Sequence, residues 1–425
     1  MAERAPFLST AYSAYHHRGL PPEDDELTRV GPGTPCGEYL RRFWQPVIVA
    51  SELGDVPRRL RILGEDLVAF RDKSGAIGLL ELHCPHRGTS LEFGLIGDTG
   101  IRCCYHGWLF GCDGRILETP GEPADSTLKD RLFHGAYPVR EYAGLVFAYM
   151  GPPDKQPDFP MLDTFDLPGY RLVPRPPSLW ECNWLQVKEN AMDPAHLQFL
   201  HTLPGSQGFV DEFKMHPEWD WMETPLGMVY IDTRRQDDLI WVRVADFILP
   251  NIHQFPPNDE HLTARNSIAR PQATIWAVPL DDRHTMQIGY YRAPEGKEPR
   301  MGAGFGQDGS RSYDERQRVP GDYDAQVSVH NGMARHGLEH LATTDRGIIM
   351  MRNMIRRSIR AVANGEELNS PMLRNGSAVP TYGQDRVLSG VAPASTPEED
   401  RELIREVARG VVQEAITTGF GTISS

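Results

Sequence analysis

The sequence has no apolar run approaching the ~20 residues that a membrane-spanning helix needs. Its opening stretch, MAERAPFLSTAYSAYHHRGL, lacks the charged-then-apolar pattern of a secretory signal. Basic residues are in deficit: 44 Lys and Arg against 58 Asp and Glu leave a formal charge of −14. That argues against nucleic acid or an anionic membrane as partner, because both are bound through basic surface. Cysteine is scarce. The six residues, Cys36, Cys84, Cys103, Cys104, Cys112 and Cys182, show no disulfide-framework spacing. Free thiols in a reducing compartment are therefore expected. No internal repeat is visible. These absences together imply a cytoplasmic protein and say little about a small-molecule substrate.

What is present is concentrated in one stretch, Glu81 to Phe110, which reads ELHCPHRGTSLEFGLIGDTGIRCCYHGWLF. Cys84-Pro85-His86 and Cys103-Cys104-Tyr105-His106 offer two thiols and two imidazoles at C-x-H and C-x-x-H spacing. Four such ligands suit tetrahedral zinc. They also suit a Rieske [2Fe–2S] cluster, in which one iron takes both Cys and the other takes both His. Zinc ligands usually fall into a Cys pair and a His pair, whereas each loop here supplies one of each. Gly88 and Gly107 closely follow the ligands, where the backbone must approach a cluster and donate N–H groups to sulfur. The pattern favours the Rieske cluster over zinc.

A second motif follows at Asn190-Ala191-Met192-Asp193-Pro194-Ala195-His196-Leu197-Gln198-Phe199-Leu200-His201. Mononuclear iron that activates oxygen is held by two His and one carboxylate, with other positions open. His196 and His201 are five apart, about 140° around an ideal helix, so they do not share a face. Holding one iron requires a π-type bulge or a helix end at this point. Asp193-Pro194 supplies a break. Taken alone, two His at this spacing are more often separate residues.

The remaining chain reads as mixed α and β, long enough for two or three domains. Residues 1–30 look like an extended arm. Gly31-Pro32-Gly33 reads as a turn, and Thr34-Pro35 as the start of a short helix to about Phe43. Short β-rich runs at 47–50, 59–63, 66–71, 77–82 and 145–149 outline a small antiparallel domain. Residues 155–180 read as a Pro-rich connection. Runs at 227–232, 239–247, 273–278 and 286–292 suggest one antiparallel sheet. Its Phe, Trp and Met content places the substrate wall within 205–300. Residues 300–324 read as a surface loop. Ile348, Ile349, Met351, Met354, Ile355 and Ile359 mark an amphipathic helix, and Thr396 with Glu399 forms a capping box before another.

With CPHRG at 84–88, CCYHGW at 103–108 and D-x-x-H-x-x-x-x-H at 193–201, the chain resembles the oxygenase (alpha) components of Rieske non-haem iron oxygenases. The run GPGTPCGEYLRRFWQPV at 31–47 and ETPGEPADSTLKD at 118–130 are similar to the phthalate-dioxygenase branch, among relatives acting on lignin-derived methoxyaromatics. The resemblance implies an α+β fold: an N-terminal arm over 1–40, a small antiparallel β Rieske domain over 41–152, and over 153–425 a catalytic domain of antiparallel sheet flanked by helices. It implies a Rieske [2Fe–2S] cluster on Cys84, His86, Cys103 and His106, and mononuclear Fe(II) on His196, His201 and a downstream Asp.

Asp345, before the amphipathic helix, fits the place of that Asp; the plainer reading is a helix cap. Asp193 would hydrogen-bond His196 and reach His106 of a neighbouring subunit, and Asn190 would sit near the iron. The expected partners are an NAD(P)H-dependent reductase carrying flavin and a ferredoxin-type iron–sulfur cluster, O2, and further copies of the chain in a trimer or stacked hexamer. The expected reaction is O-demethylation of a methoxylated aromatic acid. Ring dihydroxylation of an aromatic carboxylate such as a phthalate is the alternative. A non-catalytic electron carrier or zinc protein would need only one of the two metal motifs.

Overall fold

The computed structural model describes residues 8–16, 21–202, 215–257, 266–299, 309–374, 376 and 378–420. Helix α1 (Asp25–Thr28) precedes α2 (Pro35–Leu40), which starts as the sequence suggests: Thr34 Oγ1 accepts the Gly37 N–H at 3.2 Å, with Pro35 in the first turn. The expectation of an extended arm over 1–30 is corrected for its last part. Leu27 and Val30 are fully buried, and the acidic run is paired with arginines, two of them far along the chain. Glu23 pairs with Arg29 at 2.7 Å and Glu26 with Arg360 at 2.7 Å, while Asp24 pairs with Arg356. A charge run looks solvated in sequence when its counter-ions lie more than 300 residues away.

The first half of the chain is built from three small antiparallel sheets. Strands β1 (Gln45–Val49), β2 (Arg58–Ile62), β3 (Glu65–Arg71), β4 (Ile77–Glu81), β5 (Leu95–Ile96), β6 (Ile101–Arg102), β7 (Leu109–Phe110), β8 (Ile116–Glu118), β9 (Val139–Tyr142) and β10 (Leu145–Ala148) pair as β1-β10-β9, β2-β3-β4 and β5-β6-β7-β8. A separate small core of Val68, Phe70, Leu80, Leu82, Leu91, Ile101, Trp108, Phe110 and Ile116 underlies the two Cys-His loops. A short helix, α3 (Leu128–Arg131), follows β8.

The second half is organised on one large antiparallel sheet. It contains β11 (Tyr170–Trp180), β12 (Glu218–Thr224), β13 (Gly227–Gln236), β14 (Leu239–Ile248), β15 (Ile252–Phe255), β16 (Ile268–Ala269), β17 (Ala273–Asp281), β18 (His284–Pro294) and β19 (Gln384–Ser389). The order is β11-β18-β17-β15-β14-β13-β12, with β19 pairing β14 and β16. The Pro-rich connection is corrected here, because its second half is β11. Pro174, Pro176 and Pro177 cannot donate to a ladder, which argues against a central strand. But β11 lies on the sheet edge, and its register slips between Arg175 and Ser178, across the two adjacent prolines.

Helices α4 (Trp184–Ala191) and α5 (Ala195–Phe199) follow β11. The loop expected over 300–324 lies partly outside the described residues. Its later portion is helical, with α6 (Tyr313–Arg318) and α7 (Asp322–Val327). Six-residue helices are too short to show a 3.6-residue period. Helix α8 (Arg346–Ala363) buries Ile348, Met351, Met354, Ile355 and Ile359. Helix α9 (Pro397–Thr418) starts on both hydrogen bonds of the Thr396–Glu399 capping box. Strands β13 and β14 are buried along nearly their whole length, since they are covered on both faces. The two halves share one core and are stitched by backbone bonds from Leu63 and Gly64 to Pro279 and Leu280, both 2.8 Å.

Asp246 on β14 is fully buried, and its Oδ2 accepts the N–H groups of Tyr382 and Gly383. Burial pushes its carboxyl up to about 7 despite those bonds. A folded-state value above the unfolded one means that the folded chain holds the proton more tightly. The cost of ionising Asp246 is therefore absent below the unfolded value of about 4 and grows until about pH 7. Asp246→Asn keeps an oxygen for both N–H groups and removes that cost. Urea unfolding should show the variant gaining on the wild type by on the order of 2 to 3 kcal/mol between about pH 5 and about pH 8. A pH-independent difference would contradict this account.

Candidate active site

The two Cys-His loops are built alike. The Cys84 N–H donates to Thr89 O at 2.9 Å and the Gly88 N–H returns to Cys84 O at 2.8 Å. Likewise the Cys103 N–H donates to Trp108 O at 2.8 Å and the Gly107 N–H to Cys103 O at 3.1 Å. Both glycines have positive φ, +78° and +74°, which a side chain would strain. The loops thus present two equivalent knuckles, one between β4 and β5 and the other between β6 and β7.

Cys84 and Cys103 are buried, whereas Cys104 is exposed. The two imidazoles face one another, with ring centroids of His86 and His106 4.4 Å apart. Trp108 stacks on His86 at 4.8 Å, 5° from parallel, and fixes its ring plane. Burial pushes the Cys84 thiol up to about 11, although the His86 and Arg87 N–H groups point to its sulfur and oppose the shift; adjacent Cys103 adds to it. His106 is held below the ordinary imidazole value by desolvation and then by His86 and Arg87. A buried thiol with N–H donors already in place needs a metal cation to become a thiolate, and a neutral imidazole is the ligand form. The donor set therefore fits a Rieske [2Fe–2S] cluster. His83 is occupied otherwise, with Nδ1 3.1 Å from Gly88 O.

The second motif solves its spacing problem with a helix end. Helix α4 stops at Ala191, the chain breaks through Met192, Asp193 and Pro194, and α5 ends before His201. The imidazoles of His196 and His201 come together at 5.3 Å between centroids. Trp221 on β12 secures the break: its Nε1 donates to Met192 O at 3.2 Å, and Gly347 on α8 leaves room for the indole. Arg352 on α8 binds Glu189 at 2.6 Å and Glu339 at 2.6 Å, tying α8 to α4. Glu189, Glu339 and His336 also lie close together, but Arg352 already supplies a cation there.

The carboxylate beside the two imidazoles is Asp322, at the start of α7. Its Oδ1 lies 3.2 Å from His201 Nε2 and 3.6 Å from His196 Nε2. These three side chains converge closely enough to hold one metal ion. Burial would push the Asp322 carboxyl up, but the His201 hydrogen bond and both imidazoles hold it below the ordinary range. Asp345, the expected third ligand, is not among these three. That residue is half-buried, closes a short 3-10 turn before α8, and accepts the Ala342 N–H at 2.7 Å. Both aspartates open helices; α7 lies against α4, where Gln186 Nε2 donates to Gln326 O at 2.8 Å, whereas α8 reaches α4 through the Arg352 side chain.

Asn190 Nδ2 is 3.4 Å from both His196 Nε2 and Asp322 Oδ1, at the edge of this cluster. The Asp193 carboxylate accepts the Ala195 N–H at 2.9 Å and lies 4.0 Å from His196 Nδ1. It is the Asp193 main-chain carbonyl that receives the His196 Nδ1–H. This directs Nε2 of His196 to Asp322 and leaves the carboxylate about a third exposed. Burial, partly offset by His196, pushes that carboxyl up.

A cavity of about 180 Å³ opens against the His196, His201 and Asp322 cluster. One wall is helical, with Asn190, Leu197 and Gln326. The other is the large sheet, with Arg175, Tyr230, His253, Phe255, Ile275 and Tyr291. The expected span of 205–300 thus supplies much of the sheet wall but misses β11, α4 and α7. Of that span, 205–214, 258–265 and 300 lie outside the described residues.

Residues 43–142 match the family model of the Rieske [2Fe-2S] domain. Over 97% of its length the chain is 41% identical to the tert-butanol monooxygenase / tert-amyl alcohol desaturase oxygenase subunit of Aquincola tertiaricarbonis, covering 94% of that protein. It is 37% identical to the phenoxybenzoate dioxygenase subunit alpha of Ectopseudomonas oleovorans, over 86% of this chain and 92% of that one. This chain belongs to the oxygenase (alpha) subunits of Rieske non-haem iron oxygenases. The Sphingobium 5,5'-dehydrodivanillate O-demethylase oxygenase subunit is another relative, 32% identical over 87% of this chain and 88% of that one. The Pseudomonas putida CBB5 NdmA structure with caffeine (QL mutant) shares the fold at TM-score 0.62 and 18% identity, over 81% of this chain and 98% of that one. This oxygenase subunit therefore carries a Rieske cluster and a mononuclear iron site, and is an oxidoreductase that uses O2. Among its described residues no helix is long and apolar enough to cross a membrane.

Proposed function

We propose that this oxygenase subunit O-demethylates a methoxylated aromatic acid. The observation that carries the reading is the cavity: aromatic and aliphatic side chains beside the His-His-Asp cluster, with an arginine in its sheet wall. Such a site suits a flat apolar ring bearing one polar substituent. In the net reaction a methyl ether, O2, two electrons and two protons give a phenol, formaldehyde and water. Cys84, Cys103, His86 and His106 would hold the cluster, and His196, His201 and Asp322 the iron. When bound, these groups supply single electrons and the activation of O2.

The chain's own part is orientation and enclosure. The Asp193 carbonyl fixes the His196 tautomer, and Trp221 with Arg352 holds the break in place. The buried walls restrict water around the ring. An NAD(P)H-dependent reductase would feed the cluster. Asp193, with its partly exposed carboxylate, would bridge to His106 of the partner subunit in a trimer or stacked trimers, so that each cluster serves a neighbour's iron. A carboxylate beside a ligand imidazole is sound chemistry for that link.

The 41% relative favours a second reading, monooxygenation of a small branched alcohol. Product mass separates the readings. Reduced enzyme is given O2 with methoxybenzoates, phthalate and tert-butanol. Loss of CH2 with formaldehyde release establishes demethylation. Gain of two oxygens and two hydrogens establishes ring dihydroxylation, and gain of one oxygen on the alcohol establishes the second reading.

A further inference from the structure

We infer that Arg175 on β11, flanked by His253, is the subsite that binds a carboxylate of the substrate. This rests on the proposed reading of the cavity as an oxygenase pocket and deepens it to an anionic substrate class. Arg175 and His253 both line the cavity, on strands of the same sheet wall.

The charges around the cavity do not balance. Arg243 also lines it, but is neutralised by Asp385 at 2.9 Å and bonds Pro256 O and Pro257 O. Asp322 is committed to the two imidazoles. Among the described residues no carboxylate lies within ion-pair distance of Arg175. Its one hydrogen bond is a long one, 3.4 Å from Nη1 to Gln287 O. A half-buried guanidinium with five donors and a single weak acceptor is costly to leave unpaired. Ferrous iron held by two neutral His and one carboxylate would add a further net positive charge. A substrate carboxylate would neutralise the guanidinium.

His253 completes the subsite. Lys188 on α4 is fully buried, and its Nζ lies 2.5 Å from His253 Nδ1. Burial drives both bases far below their usual values, which favours their neutral forms. Were Lys188 to donate to Nδ1, the ring proton of His253 would sit on Nε2 as a donor. Phe255, stacked on His253 at 5.9 Å, braces the ring. The ladder to β18 is interrupted just beyond Arg175, across Pro176 and Pro177.

The competing role for Arg175 is structural, bracing the Gln287 carbonyl left without a ladder partner by those prolines. The test separates the two. The full-length holoenzyme, its Arg175→Met and its Arg175→Lys variants are titrated with 3-methoxybenzoate and with the neutral isostere 3-methoxybenzamide. Binding is read by quenching of tryptophan fluorescence, since Trp180 lines the cavity, and turnover by formaldehyde. The wild type should bind the acid at least tenfold more tightly than the amide. Arg175→Met should raise the Kd of the acid by about 30- to 100-fold and leave the amide unchanged. Arg175→Lys should recover part of the loss. If the acid is demethylated but Arg175→Met binds it as the wild type does, the subsite is wrong and the oxygenase reading stands. Equal loss of acid and amide, with the cluster spectrum intact, assigns Arg175 the bracing role and overturns the subsite. If neither compound binds while tert-butanol is consumed, both the subsite and the demethylase reading fall.

Discussion

Asp322→Ala is expected to abolish turnover, by more than about 1,000-fold, while leaving the cluster spectrum unchanged. Asp345→Ala should keep near-wild-type activity. The expectation follows from distance: Asp322 Oδ1 lies 3.2 and 3.6 Å from the two Nε2 atoms, whereas Asp345 is turned back onto the Ala342 N–H. Iron analysis gives a readout independent of substrate. A [2Fe–2S] cluster plus one mononuclear site amounts to about three irons per chain, and Asp322→Ala should fall to about two. Asp345→Ala removes a helix-start contact and should cost about 1 kcal/mol of stability with no loss of iron. If Asp345→Ala loses one iron and Asp322→Ala does not, the assignment from geometry is wrong.

The contrast between those two aspartates shows what can be read from sequence here. The Rieske loops are legible because their ligands are local: a thiol, an imidazole and a glycine within five residues set each knuckle. His196 and His201 are legible for the same reason, and the need for a helix end between them follows from the 3.6-residue turn. The third carboxylate is not local. Asp345 precedes a strongly amphipathic helix and therefore looks like the start of something important. Asp322 precedes a six-residue helix in a polar stretch, and its place is set by α7 lying against α4, which no local pattern encodes.

The same logic covers β11. Three prolines hide a strand whose position at the sheet edge makes them tolerable, and edge position is a property of the assembled sheet. The arm before α1 is a third case. Its acidic run is indistinguishable from a solvated tail until Arg356 and Arg360, on a helix far along the chain, are brought beside it. Local chemistry is readable; which distant partner completes it is decided by packing.

Adjacent cysteines allow the sharpest test of the iron–sulfur loops. Cys103→Ser should remove the Rieske visible and paramagnetic spectra and with them all turnover, whereas Cys104→Ser should retain both. Serine is nearly isosteric with cysteine, so the difference reports ligation rather than packing. The structure gives the reason. Cys103 is buried in the small core with Trp108 and Phe110, and shares with Cys84 the pair of backbone bonds that shapes each knuckle. Cys104, one residue on, is exposed, outside that frame. Cys103→Ser should also unfold at lower temperature, since metal binding to the folded chain adds to its stability and a buried hydroxyl left unpaired does not. Loss of the spectrum in Cys104→Ser with retention in Cys103→Ser would mean that the second loop places its sulfur one residue later, with C-x-H spacing in both loops.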